Sequence, residues 1–207
     1  KFFGVNRDIF LRTLCLIAVT TYFTSYGAAQ GDQVLAANTL LMQFFILFSY
    51  VMDGFAYAGE ALGGRFYGAR STTDFARLTR HLFGWGTALV TIYTIVYLAG
   101  GNSLLRLLTD DTSVQDCARR FLPYACAVPV ASFTAFLFDG LFIGTTSTRL
   151  MLLSMMTAAG AFFMVLAILP SSNSGLWTAF IVYLACRGGV QTMLFPKVKK
   201  KIGLSAS

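Results

Sequence analysis

Six long apolar runs, near residues 10–26, 35–61, 83–98, 121–143, 150–169 and 176–195, leave this chain very few structures to adopt. About 20 apolar residues in a helix match the roughly 30 Å hydrocarbon core of a bilayer. In lipid every backbone N–H and C=O must find its partner inside the protein, which leaves helices and closed barrels. A barrel strand needs only about ten residues with strict in–out alternation, and these runs are longer and do not alternate. Composition agrees: 56% of residues are hydrophobic and 12% charged, with a mean hydropathy of +0.66, against roughly 25% charged in an average soluble domain. The expected fold is all-α and integral to the membrane, with residues 1–207 forming a single six-helix lobe.

The breaks between runs orient the chain. They fall at residues 27–32, 65–81, 100–116, 144–149 and 170–175. With Arg187 set aside inside the last run, one set of ends and loops holds Lys1, Arg7, Arg12, Arg65, Arg70, Arg77, Arg80, Arg149, Lys197, Lys199, Lys200 and Lys201. The other set holds Arg106, Arg119 and Arg120, diluted by Asp110, Asp111 and Asp116. The positive-inside rule then makes both termini cytoplasmic in a multi-pass protein of the inner or plasma membrane. The net charge of +7 is thus topological. Scattered membrane-flanking basic residues without a base-stacking module do not suit a nucleic-acid partner.

The chain opens on Lys1 and carries no recognisable signal peptide, so a portion of something longer is expected. Cys15, Cys117, Cys126 and Cys186 show no C-x-x-C spacing and His81 is the single histidine, so neither a metal site nor a cofactor is expected. The chain also has no phosphate-binding glycine loop, and no enzymatic activity is expected of it.

Two acids break the apolar pattern in similar wrappings, Tyr50-Val-Met-Asp53-Gly54-Phe55-Ala56 and Phe136-Leu-Phe-Asp139-Gly140-Leu141-Phe142. An ionisable side chain at membrane depth is costly, and its default reading is an ion or substrate pathway. In a helix, Asp53, Tyr57, Glu60 and Gly64 share one stripe. Asp53 then lies about 27 Å from the outer end and Glu60 at or beyond the inner interface. Glu60 is either an interfacial charge near Arg65 or part of the site; Asp53 is either a functional acid or a carboxylate satisfied by a neighbouring helix. Gly54, Ala58, Gly59, Gly63, Gly64 and Gly68 supply small-residue spacings that let helices approach closely. Asp139, counted from Arg120, is about 28 Å down its helix, behind Pro123 and Pro129, which free carbonyls and bend membrane helices. Arg187 lies about 16 Å into the last run and needs a carboxylate or carbonyl partner, with Asp139 and Asp53 the buried acids on offer. Such a pair is either structural or functional. Thr20, Thr21, Tyr22, Thr24, Asn38 and Gln43 are placed to line an outer cavity or to bond between helices.

These residues resemble a known family. Asn6-Arg-Asp-Ile9, Tyr50-Val-Met-Asp-Gly-Phe-Ala-Tyr-Ala-Gly-Glu-Ala61, Gly64-Arg-Phe-Tyr-Gly-Ala-Arg70, Phe138-Asp-Gly-Leu-Phe-Ile-Gly-Thr145 and Leu184-Ala-Cys-Arg-Gly188 look like the multidrug and toxic compound extrusion (MATE) family, in its DinF-like branch. The resemblance implies twelve helices in two six-helix lobes around a central cavity, with this chain as the carboxyl-terminal lobe and a missing amino-terminal lobe as its partner. It implies an antiporter that exchanges protons or sodium for small, often cationic, organic compounds, in contact with membrane lipid. In one branch a Glu on the seventh helix and an Asp on the tenth hold the coupling ion. Asp139 is the counterpart of that Asp, while the first run here offers no acid beyond Asp8 at its mouth. In the DinF-like branch the usual proton site is an Asp of the amino-terminal lobe. On this reading Asp139 is a titratable cation or substrate-charge site, Asp53 a second acid or structural partner, and Arg187 a counter-ion. The alternatives are a lipid-linked precursor flippase, a non-transporting scaffold, or an intramembrane aspartyl protease, whose Gly-x-Gly-Asp motif is missing.

Overall fold

A computed structural model describes residues 2–204, and every element in it is a helix: α1 Phe2–Ala28, α2 Asp32–Gly68, α3 Thr72–Leu108, α4 Thr112–Gly144, α5 Thr148–Ile168 and α6 Asn173–Leu204. All six are long and apolar enough to cross a membrane. Lys1 and residues 205–207 lie outside the described part, so the cytoplasmic expectation for those terminal residues is not addressed by it.

Each helix covers one of the apolar runs and extends past it, except that α5 ends at Ile168, one residue short of the end of its run. The difference is largest at 65–81 and 100–116, read from sequence as loops. There α2 runs on to Gly68, α3 starts at Thr72 and ends at Leu108, and α4 starts at Thr112. Polarity marks where lipid stops; capping marks where the helix stops. Ser71 accepts from the Asp74 backbone N–H at 3.3 Å and donates its hydroxyl to the Asp74 carboxylate at 2.8 Å, opening α3. Asp111 accepts from the Ser113 and Val114 N–H groups, opening α4. The left-handed φ of Arg70 (56°) and of Thr146 (52°) turns the chain out of α2 and α4. At 37 residues each, α2 and α3 are about 55 Å long, well beyond the hydrocarbon thickness.

The tight turns make consecutive helices antiparallel. The starts of α1, α3 and α5 meet the ends of α2, α4 and α6: Thr148 donates to Asp8 at 3.2 Å, Phe75 stacks on Phe195, and Lys201 donates to the Thr145 carbonyl at 3.0 Å. Helix α4 is the hub, 67% buried over its apolar window against 11% for α1, and it packs on α2, α3 and α6. Its closest neighbour is α2. A Cβ on Gly140 would strike the Ala56 carbonyl, and one on Gly144 would strike the Glu60 carbonyl and come within 2.9 Å of the Gly64 nitrogen. Gly59, Gly63 and Gly64 are in this contact, whereas Gly54 and Gly68 face open space.

Two large apolar clusters and a small third one, of Phe48, Met52, Val90 and Leu137, fill the bundle. One gathers Phe23, Tyr97, Phe162, Trp177 and Phe180; the other gathers Phe75, Phe138, Phe142, Phe195 and Ile202 at the end rich in basic residues. Along α6 the first reaches Leu184 and the second resumes at Leu194. Arg187 and Gln191, both buried, occupy the interval.

Candidate functional site

Asp139 is the centre of a buried ionic cluster drawn from three helices. It stands in α4 and is 5% exposed. One of its oxygens accepts from both Arg12 of α1 and Arg187 of α6. The other accepts from the Gln191 amide, 2.6 Å away on α6. Arg187 and Gln191 are four residues apart, one helical turn, and so present one face to α4. Arg187 also lies 6.0 Å from the centre of the Phe136 ring. Burying a charge in low dielectric is tolerated only when it is paired and its remaining hydrogen-bonding capacity is met. Asp139 meets that requirement with three donors.

Two guanidinium groups on one carboxylate leave a surplus positive charge. Asp53, half-buried on α2, carries the opposing charge: Asp139, Arg12 and Arg187 all act on it electrostatically. Among the described residues Asp53 makes neither a hydrogen bond nor an ion pair of its own. Two buried polar atoms of the cluster also lack a partner in the described structure, Arg12 Nε and Gln191 Oε1.

The other residues picked out from sequence fall differently. Tyr57 is 69% exposed on the outside of the lobe. Glu60 is partly buried at the α2–α4 contact, where its carbonyl faces Gly144. The stripe Asp53, Tyr57, Glu60 and Gly64 is thus continuous on the helix but meets α4 only in part. Asn38, read as a cavity-lining or interhelical residue, takes the second role: it exchanges hydrogen bonds with Asn173 at 2.7 and 2.9 Å and accepts from Trp177 Nε1 at 2.9 Å. Thr20 and Thr24 donate to carbonyls of their own helix, while Gln43 is exposed.

Sequence reasoning missed Arg12, Gln191 and the burial of Asp8. Arg12 was counted with the cytoplasmic loop charges, and the structure corrects this: it lies inside α1, its side chain 22% exposed, bound to Asp139. A signal was present, since Arg12 falls two residues inside the first apolar run. Asp8 is 2% exposed, takes an ion pair from Arg7 at 3.3 Å and binds Thr148 in the first turn of α5.

The chain matches known proteins along most of its length. A family model named MatE matches residues 9–169. "DNA damage-inducible protein F" of Escherichia coli K12 is 37% identical over 189 residues, covering 91% of this chain and 41% of that protein. Two proteins of Arabidopsis thaliana are more distant: "Protein DETOXIFICATION 42", 26% identical over 92% of this chain and 38% of its own length, and the chloroplastic "Protein DETOXIFICATION 45", 27% identical over 85% and 32%. The chain thus spans well under half the length of these relatives. A match of this extent, carried by six helices each able to cross a membrane, makes the chain a member of the MatE family.

Proposed function

We propose that the chain is the carboxyl-terminal lobe of a transporter that exports small organic, mainly cationic, compounds across the cell membrane in exchange for protons or sodium. The observation that carries this reading is the buried Asp139 cluster in a MatE chain, with a second acid, Asp53, that feels its charges and has no ion pair among the described residues. A pathway for charge through lipid requires ionisable groups held within the membrane, and their cost is met only where they work. In this reading the basic end of the bundle is cytoplasmic, a second six-helix lobe covers the exposed Tyr57 face, and Tyr57 meets substrate at that boundary with Glu60 nearer the cytoplasm. Asp139 acts as the charge anchor that ties α1, α4 and α6 together. No nucleic acid, cofactor or covalent chemistry enters the cycle.

The test is transport by the full-length protein in sealed vesicles. A fluorescent organic cation should accumulate when a proton or sodium gradient is imposed, and an ionophore specific for the driving ion should abolish the accumulation. Asp139→Asn at matched protein level should lose it. A protein that inserts normally yet moves no organic cation under either gradient rejects the reading.

A further inference from the structure

We infer that Asp53, rather than the more deeply buried Asp139, is the proton-accepting acid of this lobe, and that Asp139 is a positioning residue whose partners Arg12 and Arg187 respond to the charge on Asp53. The inference rests on the antiporter reading for its use, and on the geometry of the cluster for its content.

Both Asp139 oxygens are engaged, one by Arg12 and Arg187 and the other by Gln191. A proton arriving at Asp139 would cancel the carboxylate charge and leave the two guanidiniums on it buried without their counter-charge, a strongly destabilising change. Asp53 has no such obstacle. It holds no hydrogen bond or ion pair among the described residues and is half-buried, so a proton can reach and leave it without breaking a contact.

Protonation there is felt by the rest of the cluster. The charged groups acting on Asp53 are Asp139 from α4, Arg12 from α1 and Arg187 from α6; no charged group of α3, the other helix packed on α2, acts on it. With both acids ionised, two carboxylates balance two guanidiniums. With Asp53 neutral, one positive charge is in excess. Arg12 is the cation able to answer, because its side chain is 22% exposed against 6% for that of Arg187 and its Nε has no partner. Ionised Asp53 draws Arg12 away from Asp139; neutral Asp53 returns it. Arg12 is carried by α1, which has the least buried apolar window of the six helices, so its displacement disturbs little packing. The balance is simple: the proton bound at one face leaves at the other, and no bond but O–H forms or breaks.

The experiment is infrared difference spectroscopy of the full-length protein in liposomes, stepped between acid and alkaline pH, with organic-cation counter-transport followed in the same preparation. The carbonyl band of a protonated carboxyl should appear on acidification, be lost in Asp53→Asn, and persist in Asp139→Asn. Asp53→Glu, which keeps the acid and changes its reach, should keep the band at a displaced pH midpoint. A band undiminished in Asp53→Asn, or lost only in Asp139→Asn, overturns the inference. Should Asp53→Asn fail to accumulate, an unmoved midpoint in Asp53→Glu overturns it equally. A wild-type band that Asp53→Asn removes, without any counter-transport, upholds the proton site and rejects the antiporter reading instead.

Discussion

At the scale of the residue, Asp139 shows how a buried charge is made tolerable. Removing one partner of a buried ion pair costs on the order of 3–5 kcal/mol, because the remaining charge is stranded. Asp139 has two cationic partners on one oxygen, so the two sides of the pair are not equivalent. Arg187→Ala leaves Asp139 bound to Arg12 and Gln191. Asp139→Asn leaves two guanidiniums facing an amide. The expected order of damage is therefore Asp139→Asn well above Arg187→Ala, read as the thermal midpoint of detergent-solubilised protein. Asp139→Asn combined with Arg187→Ala should be less damaging than the two losses summed, since the residues form one unit. Equal and additive losses would mean that Arg12 does not share the carboxylate. The need of Arg187 for an acid was legible from sequence. The share taken by Arg12, 127 positions from Asp139, was not, because burial demands a counter-charge without saying which helix brings it.

At the scale of the element, the α2–α4 contact governs the lobe. Hydrophobic burial offers no preference between lipid and a neighbouring helix, so close backbone approach through small residues has to hold the pair. Small-residue spacing in α2 was legible. Its partners in α4, Gly140 and Gly144, stand at the same four-residue spacing, but only packing shows that they face the Ala56 and Glu60 carbonyls. Gly140→Ala places a methyl against the Ala56 carbonyl with nothing flexible to yield, and overpacking of this kind typically costs about 1–3 kcal/mol. Gly54 is in the same helix pair but opens on free space, so Gly54→Ala should be neutral or gain up to about 1 kcal/mol of helix propensity. Thermal midpoints of the two variants, measured side by side, check this; equal loss at both positions would remove the close-packing account. The helix ends follow the same division. Sequence polarity placed breaks at 65–81 and 100–116, yet Ser71 and Asp111 cap helices that run through most of those stretches.

At the scale of the whole molecule, the antiparallel order sets which ends share a membrane face. Residues of the α2–α3 turn lie with the start of α1 and the end of α6, and those of the α5–α6 turn lie at the opposite end. In a cysteine-free background, single cysteines at the exposed positions Thr73 and Ser171 should differ: an impermeant thiol reagent applied to intact cells should label the second and spare the first. Labelling of both from one side would break the six-span arrangement.

Six helices, a membrane location and the alternation of their ends were determined by the sequence alone, because a bilayer supplies no hydrogen-bond partners and so makes each apolar run satisfy its own backbone. That constraint is local, and local information suffices to read it. Which polar side chains meet inside the bundle was decided only by tertiary structure. Arg12, Asp139, Arg187 and Gln191 are joined across α1, α4 and α6, while Asp53 of α2 feels their charges without a hydrogen bond or ion pair among the described residues. Rotation and register of packed helices fix those meetings, and both are set by where small residues let backbones touch rather than by any pattern along a single run.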